Sequence, residues 1–123
     1  MNKIATWLTW LFYLWLTAIL IVSSIPDIGS KNETLLGFDK YAHFTEYFIL
    51  SILFILMKIA RKQKPLLKNY LLLAILLPMG DEIHQLFIRG REFSLLDFSA
   101  DWAGASLAFL VYYLLKRSPL LKL

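Results

Sequence analysis

Residues 80–104 read GDEIHQLFIRGREFSLLDFSADWAG. Within this stretch Asp81, Glu82, His84, Gln85, Arg89, Arg91, Glu92, Asp97 and Asp101 stand between two strongly apolar segments, residues 70–79 and 102–115. A charged side chain near the centre of a bilayer costs about 3 kcal/mol or more. If the flanking segments cross a membrane, these groups must face one another or a ligand instead of lipid. The stretch therefore marks a candidate functional site, and the rest of the chain decides whether the membrane premise holds.

Working outward, the premise is supported on every side. The chain has 123 residues, 59% of them hydrophobic, and a mean hydropathy of +0.60. Its apolar runs are too long and too uniform to leave a polar exterior, so composition points to one small membrane bundle and not to a soluble domain. There is no cysteine, which excludes a disulfide framework, a thiolate metal site and a thiol nucleophile. The net charge of +4 would suit nucleic acid only if the basic residues clustered on a soluble face. Here they flank apolar spans, so membrane topology explains them and nucleic acid is excluded as a partner.

A span needs about 20 apolar residues. Four segments are predicted: about 4–24, 40–59, 69–88 and 95–115. The first carries bulky Trp7, Trp10 and Trp15 and lacks a small-residue cleavage site, which favours a retained helix over a signal peptide. Pro78 interrupts the third and predicts a kink just before Asp81. Ser94-Leu95-Leu96-Asp97 has the spacing of a helix N-cap box and starts the fourth. Lys3, Lys58, Arg61, Lys62, Lys64, Lys68, Lys116, Arg117 and Lys122 fall on one side, against Lys31, Lys40, Arg89 and Arg91 on the other. The positive-inside rule then predicts an all-α, integral membrane four-transmembrane-helix bundle with both termini cytoplasmic. All nine acids fall on the outer side or in the outer half of the helices.

At 1.5 Å per residue, three polar clusters share that outer slab. Asp39, Lys40, His43, Glu46 and Tyr47 open the second span. Asp81, Glu82 and Gln85 close the third, and Asp97, Asp101 and Gly104 open the fourth. Spacings of three and four within them, Asp39/His43/Glu46, Lys40/His43/Tyr47, Asp81/Gln85, Glu82/Gln85 and Asp97/Asp101/Gly104, let each cluster present a polar stripe to the bundle interior. Asp81 and Glu82, being adjacent, point about 100° apart. Gly104 is read as a close-packing position.

The pattern SSIPD, Asp39-Lys40-x-x-His43-Phe44-x-x-Tyr47, Asp81-Glu82-x-x-Gln85-x-Phe87, Gly90-Arg91 and Asp97-x-x-x-Asp101-x-x-Gly104 resembles the VanZ-like family of small bacterial integral membrane proteins, over nearly the whole chain. Arg89 stands where that family often has Pro, and Ala108 where a second Gly is common. The resemblance implies a multi-pass protein of the bacterial plasma membrane; the name member of the family is linked to resistance to the lipoglycopeptide teicoplanin. It brings no settled biochemical activity with it.

Three functions fit these residues. The first is a binding protein whose outer-leaflet cavity takes an amphiphile: a membrane lipid head group, a lipid-linked cell-wall precursor or a lipoglycopeptide. Asp39, Lys40, Tyr47, Asp81, Gln85, Arg91, Asp97 and Asp101 would form its binding site. The second is a membrane enzyme acting on a lipid-linked phosphate-bearing substrate, with His43 and Glu82 as general acid and base and Arg91 and Lys40 holding the phosphate. A proton-coupled transporter is the third, disfavoured by four short spans without an internal repeat. Asp39, Glu82, Asp97, Asp101 and His43 are chemically able to ligate a divalent cation, but no ligand motif such as HExxH supports one. The sequence assigns neither metal nor cofactor, and it does not specify an oligomeric state.

Overall fold

A computed structural model describes residues 2–26 and 33–118, all of whose regular structure is helical. Asp27, Lys31 and Lys122, which enter the charge arguments above, lie outside the described residues.

Helix α1 spans Lys3–Ser23. Asn2 caps it, its side-chain oxygen accepting from the Ala5 N–H at 2.7 Å. Phe12 and Ile19 face inward, while Ile4, Trp7, Trp10 and Leu14 are more than half exposed. Large apolar side chains in that number mark a surface for a membrane or another protein and not for water. Helix α2 spans Glu33–Ala60, reaching upstream of the expected start at Lys40. Its Tyr47, Leu50, Phe54 and Met57 recur at spacings of three and four and form the hydrophobic core with Phe12, Ile19 and Leu73. The helix ends in a Schellman motif: Gln63 N–H reaches the Lys58 carbonyl at 2.8 Å and Lys62 N–H the Ile59 carbonyl at 2.9 Å. The position that glycine usually holds there is occupied by Lys62, at φ 58°.

The third helical rod is built in pieces. Helix α3, Leu67–Leu71, begins where the Asn69 side chain accepts from the Leu66 N–H at 2.8 Å. A π-helical turn, Leu72–Leu76, follows, and α4 covers Leu77–Gln85. Pro78 explains the interruption. It has no N–H, and its ring would collide with the Ala74 carbonyl in an uninterrupted α-ladder. The preceding turn widens to accommodate it, the Leu77 N–H reaching back five residues to the Leu72 carbonyl. The expected kink is thus resolved as a widened turn, which also rotates α4 about its axis relative to α3. Turns through Gly90, at φ 76°, lead to α5, Leu95–Arg117. Ser94 caps α5, its hydroxyl accepting from the Asp97 N–H at 3.1 Å.

Among the described residues, three helical stretches are long and apolar enough to cross a membrane: Lys3–Ser23, Asp39–Ala60 and Leu95–Arg117. In place of the expected third span stand the three consecutive pieces covering residues 67–85, each too short to cross alone.

Helix α2 is the centre of the bundle, with α5 on one side and α1 on the other. Its crossing with α5 is very close. A Cβ added at Gly104 would lie 2.1 Å from the Phe44 carbonyl oxygen. Ala105 and Ala108 on the same helix are sealed completely, so small residues one turn apart let the backbones meet. At the end of the bundle remote from Asp39, Arg61 donates to the Thr9 hydroxyl at 2.8 Å, and the Asn2 amide to the Ala60 carbonyl at 3.2 Å. The opposite end joins the C-termini of α1 and α4 to the N-terminal halves of α2 and α5, and there the polar residues collect.

Candidate functional site in the polar end of the bundle

The first part of the site lies between α2 and α5, whose close approach at Gly104 brings their polar faces together one turn away. Lys40 is ion-paired to Asp97 at hydrogen-bonding range and to Asp39 at 3.6 Å. His43 sits beneath them. Its Nδ1 is 2.8 Å from Asp101 Oδ1, while its Nε2 is 3.5 Å from Asp97 Oδ2 and 3.8 Å from Asp39 Oδ1. Because a carboxylate only accepts, the Nδ1–H donates to Asp101. Side-chain exposure falls steadily inward, from 36% at Asp39 and 29% at Lys40 to 9% at Asp97 and 0% at Asp101. The polar side chains therefore run from a half-exposed mouth at Asp39 and Lys40 to a sealed floor at Asp101.

The second part involves α4. Asp81 and Glu82 are both buried although they point apart, because α4 lies between two partners. Asp81 turns to α1, where the Ser23 hydroxyl donates to its Oδ1 and the Gln85 amide donates to Ser23 Oγ at 3.3 Å. Glu82 turns to α5, its Oε2 accepting from the Ser94 N–H at 3.0 Å. Its carboxylate joins His43 and Asp101: one ligand atom from each of the three lies within 4.8 Å of the others. Tyr47 is buried below, 1% exposed. Arg91, partly buried, stands close enough to Glu46 and Asp81 to interact with both electrostatically. His84 is exposed. Its Nε2 lies 2.9 Å from Ser24 Oγ, and since that hydroxyl donates to the Leu20 carbonyl at 2.7 Å, the imidazole N–H is the donor.

A family model described as VanZ/LLP1 matches residues 2–116 of the chain. The chain belongs to the VanZ/LLP1 family. No curated protein and no solved structure matches it. In this VanZ/LLP1 protein the structure brings Asp39, Lys40, His43, Asp97, Asp101 and Glu82 into one cluster, and puts Asp81 and Gln85 in a second one against α1. The hydrogen-bond partner of His43 is Asp101, one turn deeper on α5 than Asp97. Gln85, spaced to share a face with either Asp81 or Glu82, is linked to Asp81 through Ser23.

Two contributors were not singled out from the sequence. Ser23 is the hydroxyl that holds Asp81 and Gln85, and it stood in view within the SSIPD motif; only the packing of α1 on α4 gives it a role. The Ser94 main-chain N–H left no mark in the sequence beyond the cap, because a backbone donor carries no residue signature.

Proposed function

We propose that this VanZ/LLP1 protein is a four-span bundle of the bacterial plasma membrane, with both termini cytoplasmic, whose polar end opens to the outer leaflet and takes the head group of an amphiphile. Residues 67–85 serve as the fourth span, long enough at about 28 Å to cross the hydrocarbon layer. The amphiphile is a lipid, a lipid-linked cell-wall precursor or a lipoglycopeptide such as teicoplanin, and capture of the last is the link to resistance. The observation that carries this reading is the inward path from Asp39, 36% exposed, to Asp101, fully buried. A purely structural ion-pair network has no need of a mouth. Lys40 and Arg91 offer charge to a phosphate or carboxylate, and the carboxylates of Asp39 and Asp97 offer acceptors to an amine.

The oriented imidazole supports a second reading. His43, held by Asp101 at 2.8 Å, and Glu82, with an oxygen within 4.8 Å of it, would serve as acid and base for hydrolysis or transfer on a lipid-linked phosphate-bearing substrate. One experiment separates the two readings. Detergent-solubilised protein is titrated with phosphatidylethanolamine and, separately, with teicoplanin, and adducts are followed by native mass spectrometry. Specific adducts recovered at unchanged mass, and weakened at least tenfold by Asp39→Asn with Lys40→Met, are the expected result. Adducts recovered with a changed mass would favour the enzyme. Equal binding by wild type and variant would overturn the site.

A further inference from the structure

The floor of the polar path is short of hydrogen-bond donors. Glu82 and Asp101 are both 0% exposed. Each carboxylate has one oxygen satisfied, Glu82 Oε2 by the Ser94 N–H and Asp101 Oδ1 by His43. The remaining oxygens, Glu82 Oε1 and Asp101 Oδ2, are buried with no hydrogen-bond partner among the described residues. Leaving even one charged acceptor so placed is costly, and two acceptor-only groups side by side repel each other as well. Lys40 does not relieve them, being paired with Asp97 and Asp39 at the mouth.

We infer that His43, Glu82 and Asp101 form a buried divalent-cation site, with Glu82 Oε1, Asp101 Oδ2 and a nitrogen of His43 as protein ligands. One ligand atom from each residue lies within 4.8 Å of the others, and the three come from α2, α4 and α5. His43 Nδ1 lies 2.8 Å from Asp101 Oδ1, which brings the imidazole against the carboxylate whose other oxygen, Oδ2, is left unpaired. With Nδ1 turned to the ion, the Nε2–H faces Asp97 Oδ2 at 3.5 Å and Asp39 Oδ1 at 3.8 Å, longer than ordinary hydrogen bonds but of the charge that favours the N–H. Glu82 is held in place by the Ser94 N–H. Two hard carboxylates with one imidazole suit a borderline ion, Mn²⁺ or Zn²⁺, better than Ca²⁺. The site stands on the floor residues alone and does not depend on the head-group reading. If both hold, the ion makes an acidic floor attractive to a phosphate oxygen.

The test uses the full chain in detergent, stripped with chelator, desalted and titrated with MnCl₂ and with ZnCl₂. Elemental analysis after a second desalting is expected to find one equivalent of metal per chain. Pulsed electron paramagnetic resonance of the Mn²⁺ form should show coupling to a histidine ¹⁴N, a readout that needs no variant. Glu82→Gln should weaken retention at least tenfold, while Ser99→Ala, at a hydroxyl bonded to its own helix and outside the site, should change it less than threefold. Absence of stoichiometric retention, absence of ¹⁴N coupling, or unchanged retention in Glu82→Gln would each overturn the site. So would an infrared carboxylic-acid band that is lost in Glu82→Gln and unaffected by either metal, since it would show that Glu82 and Asp101 share a proton instead.

Discussion

Replacing Gly104 with alanine separates two effects of opposite sign. An alanine in a helix interior is favoured over glycine by about 1 kcal/mol. Against this, the new Cβ would lie 2.1 Å from the Phe44 carbonyl oxygen and 3.0 Å from the Phe48 nitrogen, both of them backbone atoms that cannot swing aside. Helices α2 and α5 must part by on the order of 1 Å to restore ordinary contact. Overpacking of this kind costs about 1–3 kcal/mol, and an obstacle made of backbone belongs at the upper end. The net expectation is a loss of about 2 kcal/mol, visible as a lower midpoint of thermal unfolding in detergent by circular dichroism. The same separation acts on the site, because His43 precedes Phe44 and Asp101 lies one turn before Gly104; their 2.8 Å contact has little room to lengthen. Gly80→Ala is the matched control, since nothing lies within 4 Å of its added Cβ, and it should be neutral or stabilising by up to about 1 kcal/mol. A Gly104→Ala protein as stable as the Gly80→Ala protein would refute the close-crossing argument.

Three further outcomes follow from individual contacts. Lys62→Gly should raise stability by up to about 1 kcal/mol, because Lys62 holds a left-handed conformation at φ 58° that glycine adopts freely; a drop in the unfolding midpoint would contradict it. Ser23→Ala removes the donor to buried Asp81 and should cost about 1–3 kcal/mol, whereas Ser99→Ala, at a hydroxyl bonded only to its own helix at 2.7 Å, should cost less than that; equal losses in the same melts would argue against the Asp81 contact. Lys40→Met should destabilise by leaving Asp97 without its counter-charge, and adding Asp97→Asn should recover part of the loss. Strict additivity in that double-mutant cycle would show that the pair is uncoupled.

Much of this arrangement was legible because cost forces it. Ionisable residues spaced three and four apart in apolar helices must face inward, so Asp39–Tyr47, Asp81–Gln85 and Asp97–Asp101 announced themselves as three walls. Gly104 could be read as a close contact for the same kind of reason, its residue type being the message. Which carboxylate His43 would choose was not legible, since Asp97 and Asp101 share one face of α5 and only the depth of α2 against it selects Asp101. The widened turn at Leu72–Leu76 was visible only as a proline, because the ways a helix can absorb a missing N–H are decided by packing. The separation of Asp81 from Glu82 depended on α4 having a neighbour on each side, which no spacing within one helix encodes.

The direction in which the polar end faces is the claim on which the proposed function rests, and the absence of native cysteine makes it directly measurable. Single cysteines at the exposed positions Glu92, beside the polar cluster, and Gln63, in the basic turn after α2, are treated in intact cells with a membrane-impermeant maleimide. Labelling of Glu92→Cys from outside, with Gln63→Cys protected until the cells are permeabilised, is the predicted result. The reverse pattern would put the mouth at Asp39 in the cytoplasm and contradict an outer-leaflet binding site.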